Sequence, residues 1–192
     1  KGDIMKVVNG VLTEVSKSDM LILKGNPEKF WEGVKEIGEF AFANSGVVEL
    51  VVPTTVTKLS PRAFGNCKYL KTIALPESMN TISRNAFQWC WSLTKVLLPD
   101  SIVEIGENAF AGCEKLEKIN IPNGVRNKTF TVQQGALYNR KTNTLVAFPR
   151  RYVTSAFAFR NGITSIGDYA FWNNDSAFHI DFPDSVSYIG DS

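Results

Sequence analysis

The chain has 192 residues, 44% of them hydrophobic, with 21 Lys and Arg against 19 Asp and Glu and a net charge of +2. That length and apolar content suit a folded domain with a sizeable core. The near balance of charge gives no electrostatic case for nucleic acid or an anionic membrane as partner, and no apolar run approaches the roughly 18 residues of a spanning helix.

Residues 1–36 are the least regular. The run from Lys6, KVVNGVLTEVSKSDMLILKG, is similar to the later TVQQGALYNRKTNTLVAFP from Thr131. Both read as a short apolar strand, a Gly-x-Leu (Gly10-Val11-Leu12 and Gly135-Ala136-Leu137), a polar turn and a second apolar strand, the first of these at Met20 to Leu23. Each is a hairpin-like unit leading into a more regular one.

Residues 37–125 hold regular repeats in register. An Ala-Phe pair, a small residue, a Leu, a short apolar strand and a Pro recur, with Phe42, Phe64, Phe87, Phe110 and Phe171 at one phase and Pro53, Pro76, Pro99, Pro122 and Pro183 at another. Prolines up to Pro122 are 23 residues apart. A fixed period in the twenties marks a solenoid whose units bury their apolar faces against neighbours. Around each Ala-Phe pair a short helical or 3₁₀ turn is expected, with Ser60-Pro61 suited to an N-cap and first helical position. Strands such as Thr72-Ile73-Ala74 alternate with period two, so one face is buried, and they should stack in parallel until Pro ends each. Apolar pairs after each Pro, such as Met79 and Ile82, give a second wall.

Residues 126–162 are an inserted hairpin-like unit, since Pro122 to Pro183 spans 61 residues. Residues 163–192 hold a further regular repeat and the start of the next. The chain reads as one repeat domain, 1–192, of about seven coils, right-handed and gently curved. It is expected to be a monomer.

Cys67, Cys90 and Cys113 are 23 apart, and the same position holds Ser45 and Asn174 in other units. A site that accepts Ser, Cys or Asn asks for a small polar side chain, so a ladder bonding turn backbone groups is expected rather than disulfides. Without close ligand pairs of the C-x2-C kind, no metal site is expected.

The pattern I-G-x-x-A-F-x-x-C-x-x-L-x-x-I-x-x-P, carried by Ile105, Gly106, Ala109, Phe110, Cys113, Leu116, Ile119 and Pro122, resembles the BspA-like class of leucine-rich repeats over roughly residues 37–190. That resemblance implies a leucine-rich repeat solenoid: an α/β repeat with short parallel strands and short helical or 3₁₀ turns, mostly β and loop. It also implies a bacterial, or parasitic protist, surface or secreted protein, its signal peptide removed, acting in adhesion to host or matrix protein or glycan. Fold alone does not settle function.

Catalytic signals are weak, and no catalytic residue or cofactor is expected. The only histidine, His179, falls at an outward strand phase beside Asp181, and neither a G-x-S-x-G nor a phosphate-binding glycine motif is present. Asn127-Lys128-Thr129 and Asn174-Asp175-Ser176 match the glycosylation sequon.

Binding candidates come from positions that break the repeat's own rules. Trp89 stands where other units have Asn66 or Gly112, Trp91 where they have Lys68 or Glu114, and Trp172 follows its own Phe. Each is a partner anchor or a cover for the neighbouring turn. Val51 and Leu97 are apolar at outward strand phases. Arg150, Arg151 and Tyr152 lie in a basic, aromatic stretch that also includes Tyr138, suited to carboxylate or sulfate oxygens, or else simply a solvated rim. The leading reading is a non-enzymatic surface binding module for protein or glycan. A structural spacer or stalk is the alternative, and an accessory module of a carbohydrate-active enzyme a third.

Overall fold

Strands cut short by proline gain stability only by stacking on the next copy. The computed structural model of the chain describes residues 6–122, 127–152, 157–172, 174 and 180–191. In chain order its elements are β1 (Lys6–Val8), β2 (Val11–Glu14), helices α1 (Lys17–Gly25) and α2 (Pro27–Phe30), β3 (Glu36–Ile37), β4 (Glu49–Val51), β5 (Lys58–Leu59), β6 (Thr72–Ala74), β7 (Thr81–Ile82), β8 (Lys95–Leu97), β9 (Glu104–Ile105), β10 (Lys118–Asn120), β11 (Phe130–Gln133), β12 (Ala136–Asn139), β13 (Thr144–Ala147), β14 (Ser165–Ile166) and β15 (Tyr188–Ile189). They form a solenoid of about seven coils, mostly strand and loop.

One wall is the parallel sheet β4-β6-β8-β10, in which Thr72 faces Lys95 and Ile73 faces Val96. Leu50, Ile73, Val96 and Ile119 point inward and are buried. Two-residue strands make the other wall, β3 pairing with β5 and β7 with β9 in parallel.

The segments expected as helical turns carry 3₁₀-type bonds without becoming helices. Ala63 donates to the Ser60 carbonyl, Gly65 to Arg62 and Cys67 to Phe64. Arg62 and Asn66, however, have φ of 56° and 61°. A left-handed residue breaks the run, so each unit folds as successive tight turns. The same left-handed phases recur at Asn85, Asn108 and Tyr169, and at Asn44, Trp89 and Gly112.

Those turns bring one ring per coil to the axis. Phe42, Phe64, Phe87 and Phe110 stack with centroids 4.9, 5.4 and 5.7 Å apart. Beside them runs the thiol ladder. Cys67 donates through Sγ to the Phe42 carbonyl at 2.9 Å, Cys90 to Phe64 at 3.1 Å and Cys113 to Phe87 at 3.2 Å. All three are buried and free. Burial pushes the Cys113 thiol up to about 12 and the Cys90 thiol well above its ordinary value. Ser45 is the exception: its buried Oγ has no partner. The chain preceding it is helical there, so no coil carbonyl is offered at that phase.

A second polar ladder went unread in the sequence. Ser78 donates to the Val56 carbonyl, Ser101 to Met79 and Ser185 to Ile163, at 2.7 to 2.8 Å. Asn127 takes that place after coil four. Its Nδ2 donates to the carbonyls of Asp100 and Ile102, and its Oδ1 accepts from the N–H groups of Thr129 and Phe130. At 2% exposure with Nδ2 fully engaged, Asn127 is not an open glycosylation acceptor.

The N-terminal unit differs from expectation in two ways. Met20 to Leu23 is helical, not a strand, because Ser16 caps α1 and Asp19 completes a capping box. The two hairpins also align differently. Gly10 O accepts from Lys35 and Glu36, as Asn143 O accepts from Thr164 and Ser165. The counterpart of Gly10 is therefore Asn143, and β2 corresponds to β13; Gly135 matches Gly10 only in local turn geometry.

That alignment has an architectural meaning. The hairpin β12-β13 opens a new sheet, ordered β11-β12-β13-β14-β15, while β9 and β10 each end theirs. Leu137 packs in the core that runs back to Leu12, whereas Ala136 and Tyr138 pack in a second core with Leu145, Phe148, Ile163 and Ile166. The molecule is two stacks meeting at a seam, with β12 buried on both sides.

Candidate functional site

At the seam the backbone ladder of the Ala-Phe turns is interrupted. In coils two and three the N–H groups of Arg62, Phe64 and Asn66 donate to the carbonyls of Arg84, Ala86 and Gln88, and those of Asn85, Phe87 and Trp89 to Glu107, Ala109 and Ala111. The matching donors of coil four are Asn108, Phe110 and Gly112. They have no hydrogen-bond partner among the described residues. In front of them is a cleft of about 220 Å³, closed on the far side by Thr142, Thr144, Val146, Asp168 and Tyr169.

Trp89 and Trp172 meet across the rim. Trp89 is the left-handed residue of its unit, with φ of 62°, and its indole lies over Gly112, where an added Cβ would come 2.3 Å from the ring. Its centroid is 5.9 Å from that of Trp172, edge to face, and Tyr169 packs against Trp172 at 5.0 Å. Trp89 covers its neighbour's edge and still leaves 40% of its surface exposed.

The other sequence candidates spread over three places. Trp91 is on the outer turn of coil three, with the Lys68 ammonium 5.0 Å above its ring. Val51 and Leu97 face outward from β4 and β8 with Ala74 in register between them, flooring a trough of about 290 Å³. Val51 is 75% exposed and Leu97 half-buried. Arg150 lines the seam cleft, its guanidinium 3.9 Å from the Glu114 carboxylate. Arg151 is exposed and its amide ties the insert to the Leu116 carbonyl. Tyr152 lies over Gly135 and packs edge to face on Phe148. Tyr138, read with this stretch, is buried instead, and burial pushes its phenol up to about 12 against the opposing influence of Arg160. His179, Asp175 and Ser176 lie outside the described residues.

Sequence reasoning missed the donor row and Asn127. The serine ladder had a readable signal, because Ser78, Ser101 and Ser185 each stand two residues after a Pro; Asn127 stands five after Pro122 and falls outside that spacing. The donor row had none, since it consists of main-chain groups left without an acceptor by the lack of a stacked neighbour.

Among the described residues no group of three or more His, Cys, Asp or Glu side chains could hold a metal ion, and no helix is long and apolar enough to cross a membrane. What the chain presents instead is a row of unpartnered backbone donors at the seam, the indole faces of Trp89 and Trp91, and a shallow apolar trough.

Stacked coils with an inward Leu/Ile/Val strand and a Phe axis define a leucine-rich repeat protein. The model for the BspA type leucine rich repeat region matches in six copies over residues 35–154 and 141–192, and the chain belongs to that family. Among curated protein sequences none matches. In the crystal structure of the pneumococcal vaccine antigen PcpA, 83% of this chain superposes on 39% of that one with 22% identity and a TM-score of 0.75. A leucine-rich repeat protein from Eubacterium ventriosum matches over 96% of this chain and 56% of its own, at 19% identity and a TM-score of 0.66. For a leucine rich cell surface protein from Faecalibacterium prausnitzii the values are 82%, 61%, 20% and 0.52. The chain spans less than two thirds of each, and the likeness is one of fold.

Proposed function

We propose that the chain is a non-enzymatic binding module of a bacterial surface or secreted protein, taking a protein or glycan ligand outside the cell. The observation that carries this reading is Trp89. Its counterparts Asn44, Asn66 and Gly112 suit a left-handed backbone, whereas a bulky side chain there costs roughly 1–2 kcal/mol. Strain of this kind clusters at ligand-contacting positions, and the indole it holds is exposed beside a second one. Membership of the BspA-type family supports an interaction role, and the names of PcpA and the Faecalibacterium protein favour an extracellular setting.

The test is capture of extracellular-matrix and host surface proteins, with a glycan array in parallel, by the intact chain and by the Trp89→Asn/Trp91→Ala double variant. A specific ligand lost in the variant supports the reading. No ligand for either protein favours a spacer or stalk, for which the packing of Trp89 on Gly112 and Trp172 is the structural argument.

A further inference from the structure

We infer that the seam cleft is a docking site for a short peptide segment of a protein partner, held by its main chain. The inference rests on the binding-module reading and names the partner class and the place. The backbone of coil four repeats that of coil three, with φ of 56° at both Asn85 and Asn108 and left-handed values at both Trp89 and Gly112. Its N–H groups therefore point along the stack as theirs do, into the cleft. In coils two and three each such row is met by three carbonyls spaced two residues apart. An occupant that completes coil four offers carbonyls with that spacing, the repeat of a polypeptide, just as strand-edge recognition uses main-chain bonds for affinity and pockets for specificity. Phe110 closes the ring stack of the first core, while Phe148 packs at a tilt on Phe171, so an apolar side chain of the peptide completes the stack. An inorganic anion fits less well, because Glu107 and Asp168 bring carboxylates to the same cleft. The buried, unpartnered Oδ1 of Asn108 adds nothing, since Asn85 carries the same orphan beneath a coil already in place.

The experiment uses the whole chain and a phage-displayed random heptapeptide library, with amide hydrogen exchange as the readout. In the free protein the amides of Asn108, Phe110 and Gly112 exchange faster than those of Arg62, Phe64 and Asn66. Selected peptides protect the three and lose binding to Val146→Trp, which fills the cleft. Thr142→Trp, at an exposed turn, serves if that variant does not fold. Equal protection of both rows in the free chain overturns the site. Peptides that bind both variants unchanged and protect other amides overturn it too, while leaving the binding-module reading intact. Selection of no peptide overturns the inference, and the matrix and glycan capture then decides separately whether the chain binds anything.

Discussion

Cys90 spends its one donor on the Phe64 carbonyl of the preceding coil, and this single bond explains why a small polar side chain recurs at a buried position. The thiolate, not the thiol, attacks, and burial holds Cys90 and Cys113 protonated. All three cysteines are expected to label with a maleimide only as fast as the protein unfolds; rapid native labelling at neutral pH would contradict the ladder. The sign of the pH effect follows. A free thiol ionises near about 8.5, while Cys113 in the folded chain does so at about 12. Folding thus favours the proton, and its contribution is full below the unfolded value and fades between the two. Denaturation midpoints should fall above about pH 8.5, and Cys113→Ser should make that decline shallower. Asn127→Ala removes four hydrogen bonds at once. Urea melts should show a loss of about 1–3 kcal/mol for each group left without a partner; a neutral substitution would mean water replaces the side chain.

At the level of the element, the coil is set by its ring and by its closest backbone approach. Phe87 stacks between two neighbours and Phe110 has one. Phe87→Ala should cost about 3–5 kcal/mol, with Phe110→Ala measurably less by the same urea titration; equal costs would mean that the seam packs as tightly as a regular coil. At Gly106 an added Cβ meets Arg84 N at 2.4 Å, a backbone atom unable to step aside. Gly106→Ala should therefore destabilise by about 1–3 kcal/mol. Much of this was legible beforehand. The 23-residue spacing put Phe, Cys and Pro in register, and that register reappears in the strand pairs. The helix at Met20 to Leu23 was misread because four apolar residues suit either structure, although Ser16 and Asp19 carried the capping signal. The hairpins were paired on the wrong glycine because Gly10 and Gly135 share a turn conformation, while position in the array is set by which residue bonds the next coil.

For the whole molecule, the decisive fact is the division into two cores with β12 between them. Repeat arrays open unit by unit, their stability a sum of local and neighbour terms. Native-state hydrogen exchange should separate two groups of amides, with Phe64 and Phe87 in the first stack slower than Phe148 and Gly167 in the second; one uniform group would mean that the seam transmits full cooperativity. The seam could not be read from the sequence. Its donors are main-chain atoms common to every coil, and only the absence of a neighbour in space distinguishes those of coil four. Of the eight candidate side chains, Trp89, Trp172 and Arg150 gather there, brought together by the stacking of units far apart in the chain.

The residue-for-residue offset between β6 and β8 also bears on how such a chain changes length. Because Thr72, Ile73 and Ala74 face their own counterparts one period on, Leu59 can be spliced directly to Ser83, the equivalent of Ser60, by excising residues 60–82. Every rung above and below the splice then meets the partner type it already had. Gene duplication or loss in whole periods is accordingly nearly silent for the fold, whereas an insertion of another size breaks the stack, as the one between Pro122 and Pro183 does where its hairpin opens a new sheet. Reach is the trait that mutation can adjust most freely here, and the seam keeps its form while the arm below it grows or shrinks.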